Sequence, residues 1–307
     1  MANMTHQMTE SEIIESRKIK KPGYKERMAR FFRFARGNKK MMIGGTMMLI
    51  IILIAIFAPL IAPYSYSEMR TSATLFEAPS KAHIFGTDNY GRDVFSRVIY
   101  GSRISLVVAL SSVAIGTIIG VPIGLLAGYV GGWIDIVVMR ITDVLMTIPT
   151  ILMAIIVTAI MGSGLKVVIV ALGIVYIPGA VRIGRSMVFT IKEREYVAAA
   201  VVIGESKRKV LWKYIFPNCI GPIIVQCTLR LSGAVLSEAS ISYLGYGTQP
   251  PMPSWGLMLS DSQLYMWQSP LMCIYPGLAI MFLVLAGNLF GDGLRDMLDP
   301  KFKGRLM

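Results

Sequence analysis

Four ionisable side chains stand deep inside otherwise apolar stretches of this chain: Arg140 and Asp143 in one stretch, Arg230 and Glu238 in another. A charge in a hydrocarbon layer is costly, so such groups pair with one another, face a bundle interior or line a water-filled path. Arg140 and Asp143 are three residues apart and share a helical face; a structural ion pair is the stronger expectation and substrate contact the weaker one. Arg230 and Glu238 are eight apart, too far to pair along one helix. They call for partners on another helix, on another subunit or in water, and are expected to line a path or an inter-subunit surface.

Residues able to do covalent chemistry are scarce. No GxxxxGK followed by Ser or Thr occurs, so the backbone cradle that holds nucleotide phosphates is missing. The two histidines, His6 and His83, belong to no HExxH or Cys/His cluster, and no Ser/His/Asp set can be assembled within the apolar stretches. Cys219, Cys227 and Cys273 lie in apolar stretches at spacings that fit neither a disulfide framework nor a zinc site. No catalytic, cofactor-binding or metal-binding residue is therefore expected. A self-sufficient secondary transporter would show internal repeats with broken helices at matching places, and no convincing repeat is seen.

The elements that carry these charges are long and apolar. The chain of 307 residues is 54% apolar and only 16% charged, against about 25% charged in soluble proteins, with a mean hydropathy of +0.59. A helix needs about 20 apolar residues to cross a membrane core, and six stretches qualify: 41–62, 104–129, 134–161, 165–188, 219–244 and 271–290. An all-α, polytopic membrane bundle follows. The first stretch begins forty residues in, behind 11 Lys/Arg, and reads as a retained span rather than a cleaved signal peptide.

A net charge of +13 is explained by where it falls. Residues 1–40, 182–218 and 291–307 hold 11, 8 and 4 Lys/Arg, whereas 63–100 holds 4 and 245–270 none. Such asymmetry is the positive-inside pattern. It places both termini and the 182–218 loop, with the coupling segment 190–217 in it, in the cytoplasm and the 63–100 and 245–270 loops outside, so no nucleic-acid partner is needed. Residues 1–40 form a cytoplasmic tail in which Tyr24–Arg36 is expected to be an interfacial helix, 101–293 form the main transmembrane domain, and 294–307 close the chain in a second cytoplasmic tail.

Gly116, Gly120, Gly124 and Gly128 recur every four residues and lay a glycine stripe on one helix, which lets another backbone approach closely; Pro122 within it predicts a local bend. In the 190–217 loop, Glu195 to Ile203 has helical composition and ends at Gly204, a C-cap residue. A basic segment then leads to Pro217. Small residues Ala198, Ala199 and Ala200 give this helix a smooth surface able to dock in a groove, although a solvated connector is the plain alternative. The 245–270 loop, rich in proline and with two tryptophans, is compatible with an interfacial belt, a lid or a docking surface.

Three segments, in order, resemble the permease subunits of binding-protein-dependent ABC importers of the dipeptide/oligopeptide and nickel group, C type: HIFGTDNYGRDVFSRVIYGSRISL from His83; YVAAAVVIG followed by IFPN; and LGYGTQPPMPSWGLML with NLFGDGLRDMLDP. They span residues 81–300. The resemblance implies a type I ABC importer transmembrane domain in a prokaryotic plasma membrane, paired with a second homologous permease. Two cytoplasmic ATPases, which would bind ATP and Mg, and an extracytoplasmic solute-binding protein are the other implied partners. The coupling surface would comprise Glu195, Tyr196, Ala198, Ala199, Ala200, Gly204 and Pro217. Where the family motif begins Glu-Ala-Ala this chain has Ala198, so a salt bridge to an ATPase would fall to Glu193, Arg194 or Glu195. Among substrates the resemblance favours di- and oligopeptides and leaves nickel chelates and other small solutes open.

Overall fold

The computed structural model describes residues 37–69 and 75–298. The expected interfacial helix at 24–36 and most of both tails lie outside them. Long apolar segments fold as helices because a hydrocarbon environment leaves the backbone no other hydrogen-bond partner. In chain order they are α1 (Lys39–Ile56), α2 (Ala58–Ile61), α3 (Val94–Val130), α4 (Gly132–Thr147), α5 (Thr150–Met161), α6 (Leu165–Lys192), α7 (Glu195–Val202), α8 (Lys207–Lys209), a π-helical turn (Val210–Ile215), α9 (Phe216–Tyr243), α10 (Trp255–Gln263) and α11 (Leu271–Leu298). Five helices are long and apolar enough to span, and the pair α4 and α5 makes up to a sixth.

That pair departs from the single span expected over 134–161: α4 and α5 meet at 90°. Pro149 is the cause. The residue before a proline is driven out of the helical region; Ile148 is extended, with ψ 125°, and Pro149 follows with ψ 135°. The fifth span differs in the opposite sense. Its basic lead-in is continuous with the apolar stretch, so that a single helical run extends over 207–243. The π-helical turn ends at Ile215, two residues before Pro217, with the Phe216 amide reaching back five residues to the Leu211 carbonyl.

The spine of the bundle is the α3–α6 pair, its most extensive helix interface. Every glycine of the stripe faces α6. A Cβ at Gly120 would stand 2.7 Å from the Ala180 Cβ, at Gly116 2.7 Å from the Tyr176 Cβ, and at Gly128 3.2 Å from the Arg185 carbonyl. Gly184 of α6 answers from the other side, where a Cβ would lie 2.6 Å from the Val121 carbonyl. Lipid gives helices no hydrophobic reason to associate, so close backbone contact of this kind supplies the packing. Pro122 lies inside α3 without ending it. On the far side α1 packs against α11, where Met41 backs onto Gly293 and Gly44 onto Leu289 and Phe290. Only 17% to 44% of each span's apolar window is buried within the chain, which leaves broad outer faces for lipid or a second subunit. Cys219, Cys227 and Cys273 are all free thiols.

Residues 75–93 and the 245–270 loop fold together at one end of the bundle. Asp93 caps α3, its Oδ2 accepting from the Ser96 amide at 2.7 Å while Oδ1 meets His83 Nδ1 at 2.9 Å. The two tryptophans of the 245–270 loop part company. Trp255 is buried, donating Nε1–H to the Val98 carbonyl at 2.9 Å, in room left by Gly101; Trp267 is 97% exposed.

Candidate functional site

At the opposite end of the bundle, α7 stands on the surface. Val197 and Ala200 point inward and join a core cluster with Val121, Leu125, Ala180 and Val188 of α3 and α6. Ala198, Ala199 and Tyr196 face out. So do Val202 and Ile203, 85% and 73% exposed. The helix ends in a Schellman cap: the Gly204 amide donates to the Val201 carbonyl at 3.0 Å and the Glu205 amide to the Ala200 carbonyl at 3.1 Å. That geometry needs a left-handed residue, and Gly204 has φ +83° with open space around it. Lys209 then reaches back to Glu205 at 2.5 Å and holds that carboxyl below its ordinary pKa. Pro217 is exposed at the start of α9. Glu193, Arg194 and Glu195 are all exposed beside α7.

Among the membrane-depth charges the structure redraws two expectations. Asp143 pairs with Arg182 of α6 at 2.6 Å rather than with Arg140, which lies exposed on α4. One turn-pair along, Asp135 receives two hydrogen bonds from Arg185, at 2.6 and 2.7 Å. The physical reason is direction: α6 lies alongside α4 and its guanidiniums approach both carboxylates head-on. The three-residue spacing of Arg182 and Arg185 is visible in the sequence; that it faces Asp143 and Asp135 of α4 is set by packing.

Glu238 does not line a path. It is fully buried, with Ser105 of α3 donating to Oε2 at 3.1 Å, Ser242 to Oε1 at 2.8 Å, and Ser254 of the 245–270 loop as a third hydroxyl partner. It joins α3, α9 and the start of α10. A second buried polar cluster lies at that same end and was not foreseen: Arg92 Nε meets Asp88 Oδ2 at 2.6 Å, Arg97 Nε lies 3.7 Å from the same oxygen, and Arg92 reaches Asp261 of α10 at 3.4 Å. Burial pushes the Asp261 carboxyl above its ordinary pKa despite both arginines. The i,i+4 pair Asp88/Arg92 was legible in sequence; its tie to Asp261 was not.

Arg230 is placed differently. Its guanidinium looks into a cavity of about 630 Å³ bounded by the α4–α5 bend, by Tyr176, Pro178 and Gly179 of α6, and by Gly233 and Ser237 of its own helix. Its NH1 donates to the Tyr176 carbonyl at 3.3 Å.

The described residues thus form a polytopic membrane bundle with five or six apolar spans, a cavity at the proline bend and a short helix exposed at one end. Residues 120–304 match the family described as binding-protein-dependent transport system inner membrane component, and residues 27–79 match the N-terminal TM domain of oligopeptide transport permease C. The chain belongs to that family of binding-protein-dependent permeases and is a multi-pass inner membrane protein. It is 44% identical over 272 residues to the dipeptide transport system permease protein DppC of Alkalihalophilus pseudofirmus, with 89% of each chain covered. To the glutathione transport system permease protein GsiD of Pectobacterium atrosepticum it is 42% identical over 291 residues, 95% of each chain. The di/tripeptide transport system permease protein DppC of Pseudomonas aeruginosa is 40% identical over 285 residues, covering 91% of this chain and 94% of that one.

Proposed function

We propose that this chain forms half of the translocation path of an ATP-driven importer of di- and oligopeptides. A second homologous permease supplies the other half, two cytoplasmic ATPases bind and hydrolyse ATP, and an extracytoplasmic binding protein delivers the peptide. The termini and α7 face the cytoplasm, in keeping with the Lys/Arg excess of 182–218 over 245–270. The observation that carries the reading is α7 itself: a short helix rooted in the α3–α6 core through Val197 and Ala200, whose outward face after the exposed Glu195 of its first turn is apolar apart from the Tyr196 hydroxyl. Such a face fits a groove on a partner, and with Ala at position 198 any salt bridge to that partner falls to the exposed Glu193, Arg194 or Glu195. The relatives' names, dipeptide, di/tripeptide and glutathione transport, support a short peptide as cargo. ATP would act by favouring one conformation of the ATPases, and α7 would transmit that preference.

The test is reconstitution of the full complex in liposomes with Ala199→Trp and Gly204→Val variants. Both are expected to insert normally and to lose peptide-stimulated ATP hydrolysis together with uptake. The valine strains the left-handed cap residue and the tryptophan obstructs the docking face. Unchanged uptake and stimulation in both variants would refute the assignment of α7.

A further inference from the structure

Three kinds of observation meet at the cavity beside Arg230. Its volume, about 630 Å³, lies in the range of about 300 to 1,000 Å³ typical of small-molecule sites. Its cation is unsatisfied: among the described residues no carboxylate comes within salt-bridge distance of Arg230, and one hydrogen bond, NH1 to the Tyr176 carbonyl at 3.3 Å, engages a group with five donors. By contrast Asp135, Asp143 and Glu238 each hold partners of their own. Finally, the fold makes room for the guanidinium. A Cβ on Gly179 would stand 3.0 Å from NH1 and 3.1 Å from Cζ, so the glycine opens the slot in which the charge rests.

The remaining polar lining matches the same ligand. Thr150 at the α4–α5 bend and Ser237 on α9 bring hydroxyls to the wall. The Tyr176 hydroxyl, beside Ser237, is buried without a hydrogen bond of ordinary geometry. A cation with free donors, with Thr150 and Ser237 beside it in an otherwise apolar wall, selects an anion with planar, paired oxygens, because a guanidinium binds a carboxylate through two parallel hydrogen bonds.

We propose that this cavity is a carboxylate subsite for the solute in transit, with Arg230 holding the free C-terminal carboxylate of the peptide and Gly179 keeping the slot open. The assignment rests on the peptide-importer reading above and adds to it a chemical requirement within the membrane domain, separate from any choice made by the binding protein. An amidated peptide lacks the charge and the second acceptor oxygen, and would meet Arg230 through one neutral carbonyl instead of the paired contact.

The experiment uses the complete complex in liposomes and compares uptake of one dipeptide with that of its C-terminal amide. Wild type is expected to favour the free acid. Arg230→Gln should lower free-acid uptake about tenfold, the size of one lost charge-assisted contact, while amide uptake falls much less and the yield of assembled complex stays unchanged. Arg230→Lys should recover part of the loss. Gly179→Ala, which keeps the charge but crowds the guanidinium, should reduce the free-acid preference as well. An equal fall for both peptides, no change for either, or loss of assembly in Arg230→Gln would overturn the subsite and make Arg230 a structural or inter-subunit contact. Absence of uptake of both peptides by wild type would instead overturn the peptide reading itself, and the subsite with it.

Discussion

Replacing Gly124 by alanine adds one methyl group at the tightest point of the α3–α6 spine. Its Cβ would collide with the Val181 carbonyl oxygen and lie 2.9 Å from both the Val181 carbonyl carbon and the Arg185 amide nitrogen. All three obstacles are backbone atoms of a regular helix, so no rotamer change relieves them and the helices must part. Overpacking of this kind costs about 1 to 3 kcal/mol, and a contact with rigid backbone belongs at the upper end. Separation would also carry Arg185 away from its paired hydrogen bonds to Asp135, at 2.6 and 2.7 Å. Against this, alanine gains up to about 1 kcal/mol over glycine in a helix interior, leaving a net loss of about 2 kcal/mol. Gly277→Ala is the matched control: it too lies inside a spanning helix, but nothing stands within 4 Å of its added Cβ, so only the helical gain remains. Unfolding of the purified chain in mixed micelles, titrated with SDS and followed by circular dichroism, should move the two variants in opposite directions. Equal shifts for both would refute the claim that backbone proximity at the stripe holds the spine together.

Two further outcomes follow from the buried polar groups. Glu238→Ala strands the Ser105, Ser242 and Ser254 hydroxyls and should cost about 3 kcal/mol, several hydrogen bonds' worth; Glu238→Gln should retain most of the folded yield measured by size-exclusion chromatography. At the other cluster, Asp88→Asn removes the close partner of Arg92 and should destabilise by about 3 kcal/mol, whereas Asp261→Asn should be neutral or slightly stabilising at pH 7. The sign follows from the raised pKa of Asp261: the folded chain takes up this proton more readily than the unfolded one, so the stability linked to it is present at low pH and lost as pH rises through the raised value. The advantage of Asp261→Asn should therefore shrink as the solution is acidified toward the ordinary carboxylate range, which thermal unfolding at a series of pH values would show.

Hydropathy located the spans because their apolar length is a local property, but it is blind to direction. The stretch from Ile134 to Met161 stays apolar through Ile148 and Pro149, and the 90° turn there was signalled only by the proline. In the same way Pro217 marks the irregular turn in a helix that hydropathy divides into a basic loop and a span. The α7 surface was legible because cap, composition and length are all local. The partners of Glu238 and Asp261 were not, since Ser105 lies 133 residues from Glu238 and Arg92 lies 169 from Asp261. Charges in apolar stretches announced that partners exist; which partner each one meets is set by helix packing.

The packing also joins the two places where function is proposed. Val197 and Ala200 of α7 share one core cluster with Val121 and Leu125 of α3 and with Ala180 and Val188 of α6. A close-packed interior transmits displacement instead of absorbing it. Between the glycine stripe of α3 and Gly184 of α6 there is no slack in which the helices could slide without breaking backbone contact. On the importer reading proposed above, a movement imposed on α7 by a docked ATPase would be passed to α6 through this cluster, and Ala180 in it is the next residue but one after Pro178, where a missing amide loosens the helix. Yielding at Pro178 would move Gly179 relative to Arg230, the two sides of the proposed carboxylate slot. Under the proposed function, the same displacement would open or close the grip on the peptide and would link release of cargo to the ATPase cycle through one helix, with no further signal needed.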